Sequence, residues 1–238
     1  MAMPTITADV VCRGLLVCLP FSVMFVFTLT LFRCCEEFVA MYPDAYCSRH
    51  LCDISVYASE GRGHTVFVTG FVALCIQLVL LVLGRLFFLG KVSAGKSRQP
   101  CRCCCCACPS DVVLGVSGVV AAFLMVPMAV IRYDESDLHI VAAIGVFVAL
   151  GVAEITDMKI QVRMGVRSYL HVWNKVFSVG GLVLFLLWII LEEPVFEWAA
   201  ATLPFLYLFP WPYQAMVYPA QRSNEIVGET VELSQVAA

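Results

Sequence analysis

Thirteen cysteines, four histidines and eighteen acidic residues are the groups in this 238-residue sequence that could do chemistry. The densest is Pro100-Cys101-Arg102-Cys103-Cys104-Cys105-Cys106-Ala107-Cys108-Pro109, six thiols in eight residues beside Lys96, Arg98 and Arg102. Thiols among basic residues next to a membrane take S-acyl chains, because the chains enter the bilayer while the cations meet anionic head groups. Cys101, Cys103, Cys104, Cys105, Cys106 and Cys108 are therefore expected to be lipidated. A thiolate metal cluster is the functional rival, but structural zinc uses C-x-x-C pairs separated by a loop rather than one crowded run. The bland reading is a low-complexity loop whose thiols do nothing essential. Cys47 and Cys52 bracket Ser48-Arg49-His50-Leu51 and would close a small disulfide ring in an oxidising compartment. Cys34 and Cys35 could join that framework.

The histidines and acids carry no familiar enzyme signature. His50, His64, His139 and His171 show neither H-E-x-x-H nor H-x-x-x-H spacing, so a zinc-dependent lipid hydrolase lacks its helix-borne ligand pair. There is no G-x-S-x-G elbow and no phosphate-binding Walker loop. No catalytic residue, metal ligand or cofactor is assigned on these grounds. His139 follows Asp134, Glu135 and Asp137, where a hydrogen-bonded cap is the plain reading and a ligand or base the sharper one. Glu154 reads as the most intramembrane acid, a helix-end carboxylate reaching water or pairing with Lys159 or Lys175 in preference to a proton relay. Asp157 reads as solvated.

The elements that must position these residues follow from composition. With 61% hydrophobic and 14% charged residues, and a mean hydropathy of +0.88, the chain lacks the polar material to coat a soluble surface. A cytosolic globular enzyme is excluded. A net charge of −3 argues against a nucleic-acid partner, which needs clustered basic surface; membrane lipids are the expected partners. A spanning helix needs about 20 apolar residues, so charges mark its ends. The fold class is an all-α polytopic membrane protein, a six-helix transmembrane bundle in one domain over 1–220. Its spans lie at about 14–32, 65–84, 112–131, 139–158, 174–191 and 197–213, and 221–238 forms a polar tail. Gly115, Gly118 and Ala122 in the third span, and Gly145, Ala149 and Ala153 in the fourth, are small-residue stripes that let helices pack closely. The first apolar run is too long for a signal-peptide core and has no cleavage site behind it, so it is expected to stay attached.

Orientation follows from charge. The side holding both termini and the loops at 85–111 and 154–175 collects eleven of the fifteen basic residues. The opposite side carries only Arg33, Arg49, Arg62 and Arg132 against eleven acids. By the positive-inside rule both termini are expected to be cytosolic. The cysteine-rich loop would then face the cytosol, where it could recruit a protein partner, and Cys47 and Cys52 would face the lumen or the exterior.

In this setting Cys52-Asp53-Ile54-Ser55, then Glu60 and Arg62-Gly63-His64 before the second span, His139 opening the fourth and Glu197-Trp198 opening the sixth are worth taking together. From about 12 to 218 the chain resembles the six-span eukaryotic family that joins the DRAM autophagy modulators, the Frag-type remodelling factors of GPI-anchored proteins and the Sfk-type lipid-kinase regulators. The resemblance implies a role in lipid remodelling or membrane trafficking and transfers no catalytic residue. The cysteine-rich loop and Phe209-Pro210-Trp211-Pro212-Tyr213 are not part of the family pattern. Asp53, Ser55, Glu60, Arg62, His64, His139 and Glu197 are the expected outer-face recognition residues.

The leading expectation is a regulatory or scaffolding membrane protein of the endomembrane system (Golgi, ER or lysosome) or the plasma membrane, leaning away from an enzyme. The alternative is a membrane enzyme or remodelling factor acting on lipid head groups, with Asp53, His64, His139, Glu192 and Glu193 converging at the outer mouth. That reading requires a shared polar cavity. A further alternative is a structural subunit of a larger membrane complex.

Overall fold

The computed structural model describes residues 8–59, 61–96, 109–132, 136–164 and 168–217. The described chain is all α, without a strand. Five helices are long and apolar enough to cross a membrane: α1 (Ala8–Met41), α4 (Gly61–Lys96), α5 (Pro109–Val130), α6 (Leu138–Met164) and α7 (Ser168–Leu191). Two single-turn helices, α2 (Tyr46–Arg49) and α3 (Ile54–Tyr57), lie between α1 and α4, and α8 (Pro194–Tyr207) follows α7. This is the architecture of a multi-pass membrane protein.

The helices overrun the charge-free windows. At about 1.5 Å per residue, the 34 residues of α1 and 36 of α4 make rods of roughly 50 Å, longer than the hydrocarbon is thick. A charge at the edge of an apolar window therefore does not end the helix.

The sixth passage is built in two pieces. Helix α8 has only 14 residues and ends at Leu208-Phe209, and the chain is helical again over 210–217. Pro210 has no N–H to give the carbonyl of Leu206, so the ladder breaks there. That carbonyl instead accepts from the Phe209 N–H at 3.2 Å and from the Trp173 indole Nε1–H at 3.2 Å.

Neighbours in sequence are neighbours in space: α1 packs on α4, α4 on α5, α5 on α6, α6 on α7 and α7 on α8, while α1 touches α8 and closes the ring. Small residues set how closely the helices approach. A Cβ at Gly118 would lie 2.6 Å from the Val82 side chain, and one at Gly145 would lie 2.8 Å from Leu124. The stripes in α5 and α6 are therefore used at the α4–α5 and α5–α6 seams. Outside the seams the surface is oily: Phe25, Phe123 and Ile190 are more than 60% exposed, which suits a lipid solvent. Helix α7 is the most peripheral span, with 17% of its apolar window buried.

The molecule has two polar ends. At one, called the disulfide end here, α1 finishes and α4 begins, with Cys34 Sγ donating to the Gly63 carbonyl at 3.4 Å. At the other, the Arg85 end, Leu15 and Leu16 near the start of α1 lie against Gly84, and Gln214 reaches Gln161. Both ends of the described chain thus sit at the Arg85 end.

Candidate functional site

The disulfide end gathers short tracts that are far apart in sequence. Cys47 and Cys52 are disulfide-bonded, with Cα atoms 5.4 Å apart, so the loop between α1 and α4 is tied into a ring ahead of α3. Tyr57 fills the ring: its hydroxyl lies 3.1 Å from the carbonyls of Cys47 and His50 and accepts from the Cys52 N–H at 3.3 Å. Burial pushes its phenol up from the ordinary tyrosine range.

Helix α3 is a single turn and cannot stand alone. It is held by residues from α6 and α8. The Glu197 carboxylate takes the N–H of Ile54 at 2.8 Å and so caps α3 from another helix. Asp53, at the N-cap position, makes no capping bond, and its Oδ1 is buried without a hydrogen-bond partner. Trp198 Nε1–H donates to the Cys52 carbonyl at 2.8 Å.

His139 completes the cluster. Nδ1 lies 2.9 Å from the carbonyl of Ile131, just past the end of α5, where the last carbonyls have no helical donor. That contact requires a proton on Nδ1, so Nε2 carries the lone pair and accepts from the Ser55 hydroxyl at 3.0 Å. Ser55 Oγ is also 3.4 Å from Glu197 Oε1.

Below these three side chains the bundle opens into a small cleft with about 60 Å³ of free space. Ser55, His139 and Glu197 form its polar end; Phe67, Phe71, Met125, Val146, Phe147 and Phe205 are among its apolar walls. From His139 down to Leu150, also in the wall, is about 16 Å of helix. The site is thus a small apolar cleft with one hydrogen-bonding end.

Of the expected recognition residues, Asp53, Ser55, His139 and Glu197 come together. Arg62 is exposed, and His64 turns away, its Nδ1 3.1 Å from the Ala58 carbonyl. Gly63 between them is required by space, since a Cβ would lie 2.9 Å from the Tyr57 carbonyl oxygen. Glu60 and Cys101, Cys103, Cys104, Cys105, Cys106 and Cys108 lie outside the described residues. The convergence proposed for an enzyme is corrected in part: of its five residues only His139 lines the cleft, joined by Ser55 and Glu197, while Asp53, His64, Glu192 and Glu193 do not. Cys34 and Cys35 are free thiols and do not join the disulfide. No group of three or more metal-ligating side chains occurs among the described residues.

A second cluster, at the Arg85 end, has no counterpart in the sequence reading. Arg85 and Asp157 form an ion pair with both side chains fully buried, Nε to Oδ1 at 3.0 Å and Nη2 to Oδ2 at 3.3 Å. Oδ2 also accepts from Gln161 Nε2 at 2.5 Å and from the Tyr207 hydroxyl at 3.0 Å. Gln161 Oε1 then accepts from Asn174 at 2.7 Å and Gln214 at 3.2 Å. The guanidinium stacks on Trp211, 4.8 Å from the ring centre. Asp157, read as solvated, is therefore the anchor of a network joining α4, α6, α7, α8 and 210–217. Glu154 is buried, with Oε1 lacking a hydrogen-bond partner, and does not reach water as a helix-end carboxylate would.

The chain is an all-α polytopic membrane protein with a polar-mouthed apolar cleft at one end and a buried ionic lock at the other. No protein-family model matches it, and neither does any curated protein or solved structure.

Proposed function

We propose that the protein is a regulatory membrane protein of the DRAM, Frag and Sfk type, acting in lipid organisation or trafficking by holding a membrane lipid in the cleft below Ser55, His139 and Glu197. One observation carries the reading. Residues that suggested the resemblance, Asp53, Ile54, Ser55, His139, Glu197 and Trp198, meet in one cluster although up to 146 positions separate bonded partners, and several of them line the polar end of an apolar cleft. A lipid would place a hydroxyl, phosphate or carbonyl oxygen at the mouth and an acyl chain between the phenylalanines.

On this reading the disulfide end faces the lumen or exterior, which suits the Cys47–Cys52 bridge. The Arg85 end faces the cytosol, in an endomembrane or plasma membrane. The cysteine tract there would be acylated and would fix the inner loop to the bilayer for a protein partner.

Native mass spectrometry of the protein taken from membranes in mild detergent tests the reading. A bound lipid is expected on the parent and lost from Val146→Trp, which fills the slot; equal lipid loading of both would refute it. A second reading, action on the lipid as an enzyme or remodelling factor, is favoured by the 3.0 Å contact between Ser55 and His139.

A further inference from the structure

We propose that Ser55 is a nucleophile, activated by His139, which accepts the acyl group of a membrane-lipid carboxylic ester seated in the cleft. The proposal rests on the lipid-binding reading and goes beyond it by giving the bound lipid a reaction.

Three observations converge. The hydroxyl and the imidazole are in hydrogen-bond contact at 3.0 Å, the reach required of a nucleophile and its general base. The base is oriented by a third group: the Ile131 carbonyl, 2.9 Å from Nδ1, fixes the tautomer in which Nε2 can take a proton. A purely structural serine at this place would need neither the tautomer nor access to a cavity. Ser55 has both, because it borders the cleft, whose remaining wall is almost wholly apolar. The geometry therefore sets a polarised hydroxyl where the ester of a lipid would lie once its acyl chain entered the slot.

The chemistry balances without a metal or a redox partner. Ser55 Oγ attacks the ester carbonyl carbon as its proton passes to His139 Nε2. The new Oγ–C bond forms, the bond from that carbon to the lipid alkoxy oxygen breaks, and the leaving alkoxide takes the proton from Nε2. A second alcohol or water then gives its proton to Nε2, attacks the seryl ester, and releases Ser55 as the proton returns to Oγ. Water as acceptor gives a fatty acid; a lipid alcohol gives an exchanged ester. Glu197 holds α3, and with it Ser55, against His139, so it is a positioning residue.

The test uses the full chain in lipid nanodiscs and a long-chain alkyl fluorophosphonate, which forms an Oγ–P bond as fluoride leaves. An adduct mapped by mass spectrometry to the peptide carrying Ser55 is expected. Ser55→Ala should abolish it, and His139→Gln should slow it by about a hundredfold or more. Ser55→Cys guards against a folding artefact: eluting as the parent does in size-exclusion, it should lose the fluorophosphonate adduct and gain a maleimide adduct at the same peptide. A lipid-loaded parent with no adduct at Ser55 overturns the nucleophile and leaves the lipid site standing. An adduct whose rate is unchanged in His139→Gln overturns activation by His139. A parent with neither lipid nor adduct overturns both readings.

Discussion

Removing the Asp157 carboxylate should be among the most damaging single changes in the bundle. Four side-chain hydrogen bonds converge on it, from Arg85 Nε and Nη2, Gln161 and Tyr207, and neither Arg85 nor Asp157 has any exposed side-chain surface. Asp157→Ala strands a guanidinium inside the bundle, a cost of about 3–5 kcal/mol for breaking a buried pair. The price of an unpaired charge at membrane depth, about 2.5–3.5 kcal/mol on insertion scales, points to the same size. For a chain of this length, with roughly 2–4 °C of Tm per kcal/mol, the expected drop is about 6–20 °C. Arg85→Met with Asp157→Leu removes both charges and should recover most of the loss, since an apolar pair of similar volume commonly replaces a buried ion pair at little cost. Thermal unfolding in detergent, followed by tryptophan fluorescence and checked by size-exclusion, reads Asp157→Ala together with the cycle of parent, Arg85→Met, Asp157→Leu and the double variant. The reasoning is refuted if Asp157→Ala costs less than about 1 kcal/mol, or if the double variant loses the sum of the two single losses.

Glu197→Ala should free the Ile54 N–H and release α3, costing about 1–3 kcal/mol and opening the 42–59 loop to limited proteolysis; an unchanged digestion pattern would contradict the cap. Gly70→Ala should cost about 1–3 kcal/mol, because its Cβ would run into the Thr30 side chain, and Thr30→Ala in the same chain should restore most of that stability in the same thermal assay. An acyl-exchange gel shift should be present in the parent and vanish when Cys101, Cys103, Cys104, Cys105, Cys106 and Cys108 all become Ser; a shift that survives, or is absent from the parent, counts against lipidation.

The all-α membrane class was legible because apolar windows near 20 residues have no other economical fate. The disulfide was legible from spacing and compartment. The cleft was legible only through its mouth: Ser55, His139 and Glu197 drew notice by resemblance, and nothing in their spacing announces that α3, α6 and α8 bring them within 3.4 Å of one another's partners. Its apolar walls look like any other span residues. The ionic lock was hidden by an ambiguity of position. A charge at the edge of an apolar window reads the same whether it stays on an exposed face, as Arg163 does, or is folded inward, as Arg85 is. One signal was available. Glu154, Asp157 and Gln161 recur three and four residues apart, the spacing of a single helix face, and three polar groups on one face of a membrane helix point into the bundle. The broken sixth passage was half legible, since Pro210 announced the break but not the roughly two helical turns over 210–217.

The claim on which the functional account turns is that a lipid acyl chain enters the slot beneath Ser55, His139 and Glu197. Photo-cross-linking in reconstituted vesicles, using a phospholipid with a diazirine in its acyl chain and mapping the adducts by mass spectrometry, tests it directly. Adducts on Phe71, Met125, Phe147 or Phe205, lost in Val146→Trp, are the predicted result. Adducts confined to outward-facing side chains such as Phe25, Phe123 and Ile190, with the cleft unlabelled, would contradict it.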